Sequence, residues 1–111
     1  KLSKNFKKKL INLNKKNKFI IGYGAPARVS TITNVCDIDS NLIKYIIDDS
    51  PLKQNRFSPG KHISILPKKN NINKKIDILI IFAFEYFRDI KKNFKDFKVR
   101  FFKPIPFRKL L

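Results

Sequence analysis

The chain has 111 residues, and its 26 lysines and arginines against 8 acidic residues give a formal net charge of +18. That length favours one compact domain, and a hydrophobic content of 42% argues against a disordered basic tail. A single cysteine excludes an internal disulfide framework and a cysteine-rich metal site. The longest apolar stretch, residues 78–84, is too short to span a bilayer. We find no signal-peptide pattern, so we expect a cytoplasmic chain, and the start at Lys1 rather than Met predicts further sequence upstream.

The positive charge by itself permits a nucleic-acid-binding function, because lysine-rich surfaces attract phosphates of any sequence. However, lysine, isoleucine, asparagine and phenylalanine make up 60 of the 111 residues, and all four have codons rich in A and T. We therefore interpret much of the lysine excess as compositional bias. Lysine also outnumbers arginine by 21 to 5, whereas base-reading surfaces more often use arginine. A basic nucleic-acid-binding module is thus the weakest of the functions considered.

Helical and strand patterns alternate along the first half of the chain. Apolar residues at positions 2, 6, 10 and 13 predict a leading amphipathic helix within residues 1–17. Residues 18–23 form a short apolar run that predicts a buried strand, and Pro26 suits the first turn of a helix with Ile32, Val35 and Cys36 inward. Strands are predicted at 42–48 and 62–66, separated by the turn-rich segment 49–61.

The second half contains the most apolar segment of the sequence. Residues 67–75 are polar, with room for about two helical turns, and the run 76–84 predicts the central strand, buried on both faces. Aromatic and aliphatic residues at 87, 90, 94 and 97 predict another helix, and residues 99–102 predict the last strand. Pro104 and Pro106 are expected to end regular structure. Residues 108–111 are therefore interpreted as a basic, apolar tail.

These elements predict an α/β fold. We expect a Rossmann-like three-layer domain over residues 18–107, with a mostly parallel sheet of about five strands and helices on both faces.

Small residues are concentrated at the corner between the first strand and the following helix. Four of the six glycines and alanines lie within residues 22–27, where Gly22-Tyr23-Gly24-Ala25-Pro26-Ala27 fits the pattern G-x-G-x-x-G/A. In nucleotide-binding folds this pattern allows a tight turn and close approach of a phosphate to the backbone. The alternative is a tight turn that simply packs against the protein.

Other candidate ligand-binding residues follow this corner. Asp48, at the end of the second predicted strand, lies 24 residues after Gly24, near the usual position of a ribose-binding acid. Arg28, Lys53 and Arg56 could contact phosphate or another acidic group, or could be ordinary solvated residues. The substrate-binding set is therefore Gly22, Tyr23, Gly24, Ala25, Arg28, Asp48, Lys53 and Arg56.

Catalytic groups are sparse. His62 and Glu85 are the only histidine and glutamate, no cluster has metal-ligand spacing, and Cys36 is expected in the core. We expect no catalytic residue and no metal site in this chain.

Several separated motifs make the chain resemble the C-terminal domain of S-adenosylmethionine-dependent sugar C-methyltransferases. These motifs are Gly22–Arg28, Thr31–Asn34, Asp48–Gln54, Pro59-Gly60 with His62–Ile65, and Lys103–Pro106. The resemblance implies a domain that helps to hold a nucleotide-linked sugar, while S-adenosylmethionine and the catalytic base belong to a domain absent from this fragment. The leading helix would then contact that domain.

The sequence departs from the family pattern at two places. Asn55 replaces a glycine, and asparagine tolerates a left-handed backbone. Residues 83–85 replace a Pro-Trp-Asn stretch, so that Glu85 would repel a phosphorylated ligand unless Arg88 or a lysine compensates.

Two functions remain in consideration beside nucleic-acid binding. The first is the acceptor-binding part of a longer, S-adenosylmethionine-dependent C-methyltransferase, the fragment alone not being catalytic. The second is a stand-alone nucleotide- or coenzyme-binding domain with Asp48 on a ribose. Neither function places the chain in a membrane.

Overall fold

A computed structural model describes residues 2–24 and 26–110 of the chain, and it contains an α/β arrangement of helices and short strands. The helices are α1 (Leu2–Lys15), α2 (Pro26–Cys36) and α3 (Phe87–Lys92), with a 3₁₀ turn at Phe84–Tyr86 before α3. The strands are β1 (Ile20–Tyr23), β2 (Ile46–Ile47), β3 (Arg56–Phe57), β4 (Ser64–Leu66), β5 (Ile78–Ile81), β6 (Arg100–Lys103) and β7 (Arg108–Leu110). The prediction of an α/β fold is confirmed.

The described strands form one mixed sheet in the order β3-β4-β2-β1-β5-β6-β7. The five inner strands run parallel, whereas β3 pairs with β4 and β7 pairs with β6 in the antiparallel sense. The predicted number of about five strands is therefore too low by the two edge strands. The prediction for the central strand is also wrong, since β1 occupies the middle and β5 lies beside it.

Apolar side chains cover both faces of the sheet. One cluster joins Phe6 and Leu10 of α1 and Val29 of α2 to side chains of β1, β2, β4 and β5. On the opposite face, Ile90 and the following Phe94 join a second cluster with side chains of β1, β2, β5 and β6. Every residue of β5 is buried, which confirms the expected burial of that strand on both faces.

Helix α1 uses its apolar face within the chain itself. Phe6 is fully buried, and its ring centroid lies 5.8 Å from that of Phe107, while Leu2 at the start of the helix remains 54% exposed. Asp37, just after α2, accepts hydrogen bonds from Lys7 of α1 and from Lys61. The helix is thus fixed to the rest of the domain by a buried face and an ion pair.

The predicted inward face of helix α2 is confirmed for Cys36, which is buried, and for Ile32, which packs partly buried against the core, but it is wrong for Val35. Val29, Thr33 and Cys36 are buried, whereas Val35 is 69% exposed. Successive residues of an α-helix are rotated by about 100° around its axis. The side chains of Val35 and Cys36 therefore cannot both lie in one narrow buried stripe. Thr33 is accommodated in the core because its hydroxyl donates to the carbonyl of Val29 at 2.8 Å.

Two polar or proline-containing segments also differ from expectation. Residues 67–75 form turns rather than helix, and the hydrogen bonds of Asn71 to the carbonyls of Pro67 and Lys69 stabilise that turn. After Pro104 the chain turns and returns as β7, whose Arg108 pairs with Lys103. The segment interpreted as a tail therefore contains a strand. No helix among the described residues is long and apolar enough to cross a membrane.

We predict that Phe6→Ala destabilises the chain by about 3–5 kcal/mol, because it opens a cavity between α1 and the sheet. Leu2→Ala is the matched control, since it shortens an exposed side chain of the same helix and should change stability little. Urea unfolding followed by circular dichroism measures both. Equal, small effects would show that α1 does not contribute to the core.

Candidate functional site

The order of the parallel strands creates a crevice between β1 and β5. From β1 the chain builds the sheet in one direction through β2 and β4, and then resumes on the other side of β1 with β5 and β6. The loops that leave β1 and β5 therefore diverge at the carboxyl ends of the strands. Open α/β sheets bind their ligands at such a reversal point.

A cavity of about 320 Å³ lies at this reversal point. Its lining combines residues that follow β1, β2 and β5, namely Tyr23, Gly24, Asp48, Asp49, Ala83, Glu85, Tyr86 and Ile90. Three predicted site residues thus lie together here: Tyr23, Gly24 and Asp48. A groove of about 370 Å³ between α1 and α2 is lined by residues of those helices and Asp37, and takes no residue from a strand end.

Tyr23 lies at the base of the cavity and is held by two polar side chains. Its hydroxyl donates to Oδ1 of Asp49 at 2.9 Å and accepts from Nδ2 of Asn93 at 3.2 Å. Burial, followed by the interaction with Asp49, raises the pKa of Tyr23 well above its ordinary value. The hydroxyl therefore stays protonated at neutral pH, where it can donate a hydrogen bond but cannot act as a base.

The two glycines of the corner are explained by packing against the protein. A Cβ at Gly22 would lie 2.5 Å from Cδ1 of Ile46 and 2.9 Å from a ring carbon of Phe82, and a Cβ at Gly24 would lie 2.6 Å from that of Ala83. Gly24 also has a φ of +77°, which favours glycine. Ala25 lies outside the described residues. The packing alternative for this motif thus has direct structural support, although Gly24 still borders the cavity.

Arg28 contacts Glu85 rather than an open site. Its Nη1 and Nη2 donate to the two carboxylate oxygens of Glu85 at 2.8 and 3.0 Å, and Nη1 also donates to the carbonyl of Phe82 at 2.6 Å. The hydrogen bonds from Arg28 are the main reason that the pKa of Glu85 falls to about 2. Arg28 therefore supplies the compensation for Glu85 that we expected from Arg88 or a lysine.

The remaining predicted residues divide between two places. Asp48 is buried at the end of β2, and its Oδ1 accepts the backbone N–H of Ser50 at 2.8 Å. Lys53 and Arg56 instead line a second cavity, of about 490 Å³, beside the start of α2. Asn55, between them, adopts a φ of +62°, as expected for a residue that replaces glycine.

Asp49, Ala83 and Tyr86 also line the first cavity but were not predicted as site residues. Asp49 adjoins Asp48 in the sequence, and an acidic pair after a strand was the signal that could have indicated it. Ala83 and Tyr86 follow the most apolar segment, so the rule that ligands bind beyond parallel strands could have indicated both. No group of acidic, histidine and cysteine side chains among residues 2–24 and 26–110 could hold a metal ion.

The chain is an α/β domain whose inner strands are parallel and which has a cavity beyond the carboxyl ends of those strands. A family model described as the C-methyltransferase C-terminal domain matches residues 1–106, and the chain belongs to this family. The match includes α1. The chain is also 32% identical over 92 residues to the C-methyltransferase NovU of Streptomyces niveus, an alignment that covers 80% of this chain and 22% of that relative. The chain thus spans about a fifth of the length of this relative.

We predict that Gly24→Ala lowers the stability of the chain without any ligand by about 1–3 kcal/mol, the usual cost of overpacking. The new Cβ would overlap Ala83, so adding Ala83→Gly should recover part of the loss while the strain at positive φ remains. Urea denaturation of the two variants measures this. An unchanged stability of Gly24→Ala would contradict the packing explanation.

The Arg28–Glu85 pair predicts a pH-dependent contribution to stability. The folded-state pKa of Glu85 lies below its ordinary value of 4.5, so the stabilisation is complete above about pH 4.5 and is lost as the pH falls towards 2. Glu85→Gln should therefore reduce the melting temperature at pH 7 and reduce it less at pH 3, where part of the stabilisation has already been lost.

Asp89→Asn is the control, because Asp89 lies 3.9 Å from Lys92 in a weaker exposed pair. A loss of stability in Glu85→Gln that is equal at both pH values would contradict the role of the ion pair.

Proposed function

We propose that this chain binds the acceptor of an S-adenosylmethionine-dependent C-methyltransferase, and that the acceptor is a nucleotide-linked sugar or a similar small molecule. Membership of the family supports the methyltransferase context. The cavity at the reversal point between β1 and β5 carries the proposal of acceptor binding. In this proposal the five parallel strands are the scaffold of a Rossmann-like, three-layer domain that works in the cytoplasm with a separate catalytic domain.

The chemistry of the cavity favours a ligand rich in hydrogen-bond donors. Asp48, Asp49 and Glu85 contribute three of the chain's eight acidic residues to one lining. Carboxylates accept hydrogen bonds from hydroxyl or amino groups, and an exposed ring such as Tyr86 can pack on the apolar face of a sugar. Although Arg28 compensates the charge of Glu85, a phosphate in the same place would still meet the carboxylates of Asp48 and Asp49, which supports entry of the sugar part.

The residues of this corner do not fit S-adenosylmethionine. The space beside Gly24, where a cofactor would have to approach the backbone, is taken by Ala83. We therefore assign no contact with the methyl donor to this chain and place that contact on the catalytic domain. The contribution of this chain is to hold the acceptor in one orientation, which lowers the entropic cost of the reaction.

We predict that UDP-glucose, used as a probe, shifts the backbone amide signals of Tyr23, Gly24 and Asp49 in a titration followed by ¹H–¹⁵N NMR. Tyr86→Ala should weaken this binding up to about tenfold, as expected for one aromatic contact, because Tyr86 is 61% exposed and lines the cavity. Leu2→Ala, which shortens an exposed apolar side chain of α1 that lines neither cavity, is the control.

The titration also separates the proposal from its alternatives. Equal affinity in Tyr86→Ala and the unaltered chain, or shifts confined to α1, would contradict it. Tight binding of NAD or coenzyme A to the chain alone would favour a stand-alone coenzyme-binding domain instead. In the whole methyltransferase, Tyr86→Ala should raise the KM for the acceptor and leave the KM for S-adenosylmethionine unchanged.

A further inference from the structure

We infer that the second cavity, beside α2 and the edge strand β3, binds the nucleoside diphosphate end of the acceptor. The inference rests on the proposed function in taking the ligand to be nucleotide-linked, and it adds a separate subsite for the base and the phosphates. The residues that carry it are Lys53, Arg56 and Phe57.

The cavity is bounded by α2 on one side and by β3, β4 and the 58–60 turn on the other. Its volume is about 490 Å³, and its lining consists of Pro26, Ala27, Ser30, Lys53, Arg56, Phe57, Pro59 and Ile65. Hydrogen bonds fix the two walls to each other, because Ser30 Oγ and Asn34 Nδ2 both donate to the carbonyl of Pro59 at 3.2 Å. The space is therefore formed before a ligand arrives.

Both cations of this lining are free to bind an anion. Within residues 2–24 and 26–110, neither the ammonium of Lys53 nor the guanidinium of Arg56 has an ion pair or a side-chain hydrogen bond. Arg28, by contrast, is occupied by Glu85. The lining contains no carboxylate. A diphosphate fits this charge, since lysine and arginine are its usual side-chain ligands.

An exposed aromatic ring lies next to these cations. Phe57 is 61% exposed on the edge strand β3, and its ring centroid lies 6.4 Å from that of His62. Exposed aromatic rings beside cationic groups are the surfaces on which nucleic-acid bases stack, and every base has a face that suits them. The combination of Phe57 with Lys53 and Arg56 thus favours a nucleotide over inorganic phosphate or a simple acid.

The two cavities border the same corner, between β1 and α2. Gly24 borders the first and Pro26 borders the second, and two residues of chain span at most about 7.6 Å between Cα atoms. The same loop also carries Asp48 into the first lining and Lys53 into the second. In this inference the diphosphate passes over the corner after β1 and joins a sugar in the first cavity to a base at Phe57.

The test is a calorimetric titration of the full 111-residue chain with UDP and with inorganic pyrophosphate at fixed ionic strength. Phe57→Leu keeps an apolar side chain but removes the ring, so UDP should bind about tenfold more weakly and pyrophosphate should bind unchanged. The double variant Lys53→Ala/Arg56→Ala should weaken binding of both probes.

The control is Arg108→Ala/Lys109→Ala, which removes the same charge from β7 at the opposite edge of the sheet. It should leave the affinity for UDP within about twofold of the unaltered chain. Equal weakening by the two double variants would overturn the inference, since the net charge alone would then attract the anion. Unchanged UDP binding in Phe57→Leu would also overturn it.

Failure of this subsite is distinguishable from failure of the proposed function. Loss of UDP-glucose affinity in Tyr86→Ala without any effect of the Phe57, Lys53 and Arg56 variants would overturn the subsite alone. UDP binding that depends on Phe57, together with UDP-glucose binding that is unaffected by Tyr86→Ala, would support the subsite and contradict the proposed cavity for the sugar.

Discussion

The close contact between Gly24 and Ala83 determines the arrangement of the carboxyl edge of the sheet. The carbonyl of Tyr23 accepts the N–H groups of Phe82 and Ala83 at 3.1 and 3.3 Å, so that the chain leaving β5 crosses directly over the end of β1. The missing side chain at position 24 makes this crossing possible. This crossing also places Glu85 beside Arg28 and Tyr86 beside the cavity. Glu85 and Tyr86 would therefore both move if the crossing were displaced.

Three residues that line the candidate cavity, Tyr23, Gly24 and Asp48, could be predicted from sequence. The sequence left open whether the glycines of the corner admit a ligand or pack against the protein. The pattern Gly22–Ala27 correctly indicated a tight corner with small residues between a strand and a helix. The atoms that require those small residues belong to Ile46, Phe82 and Ala83, which reach the corner only through pairing of β1 with β2 and β5. Arg28 and Glu85 are 57 positions apart in the sequence. A local sequence pattern cannot indicate their ion pair, because only the folded sheet brings the two residues together.

The helices and strands also differ in how far local sequence patterns predict them. α1 and β5 have strong apolar patterns, and the sequence predicted both. β3 has two residues and β7 has three, too few for a periodic signal, and both strands depend on pairing with β4 and β6. The exposed position of Val35 likewise depends on which face of α2 meets the sheet, a choice that an apolar sequence pattern left open.

The charged side chains of the two cavities differ in sign. In a chain with 26 basic residues, compositional bias accounts for lysines on many surfaces but not for three carboxylates in one cavity. Arg28 compensates Glu85, so the carboxylates of Asp48 and Asp49 are the ones that would oppose a phosphate in the first cavity. The second cavity instead offers Lys53 and Arg56 without a carboxylate. A ligand with a hydroxyl-rich ring at one end and a diphosphate at the other would therefore bind in one direction only, because the reversed orientation sets phosphate against Asp48 and Asp49. Under the proposed function, such polarity would present the same carbon of the acceptor at each turnover.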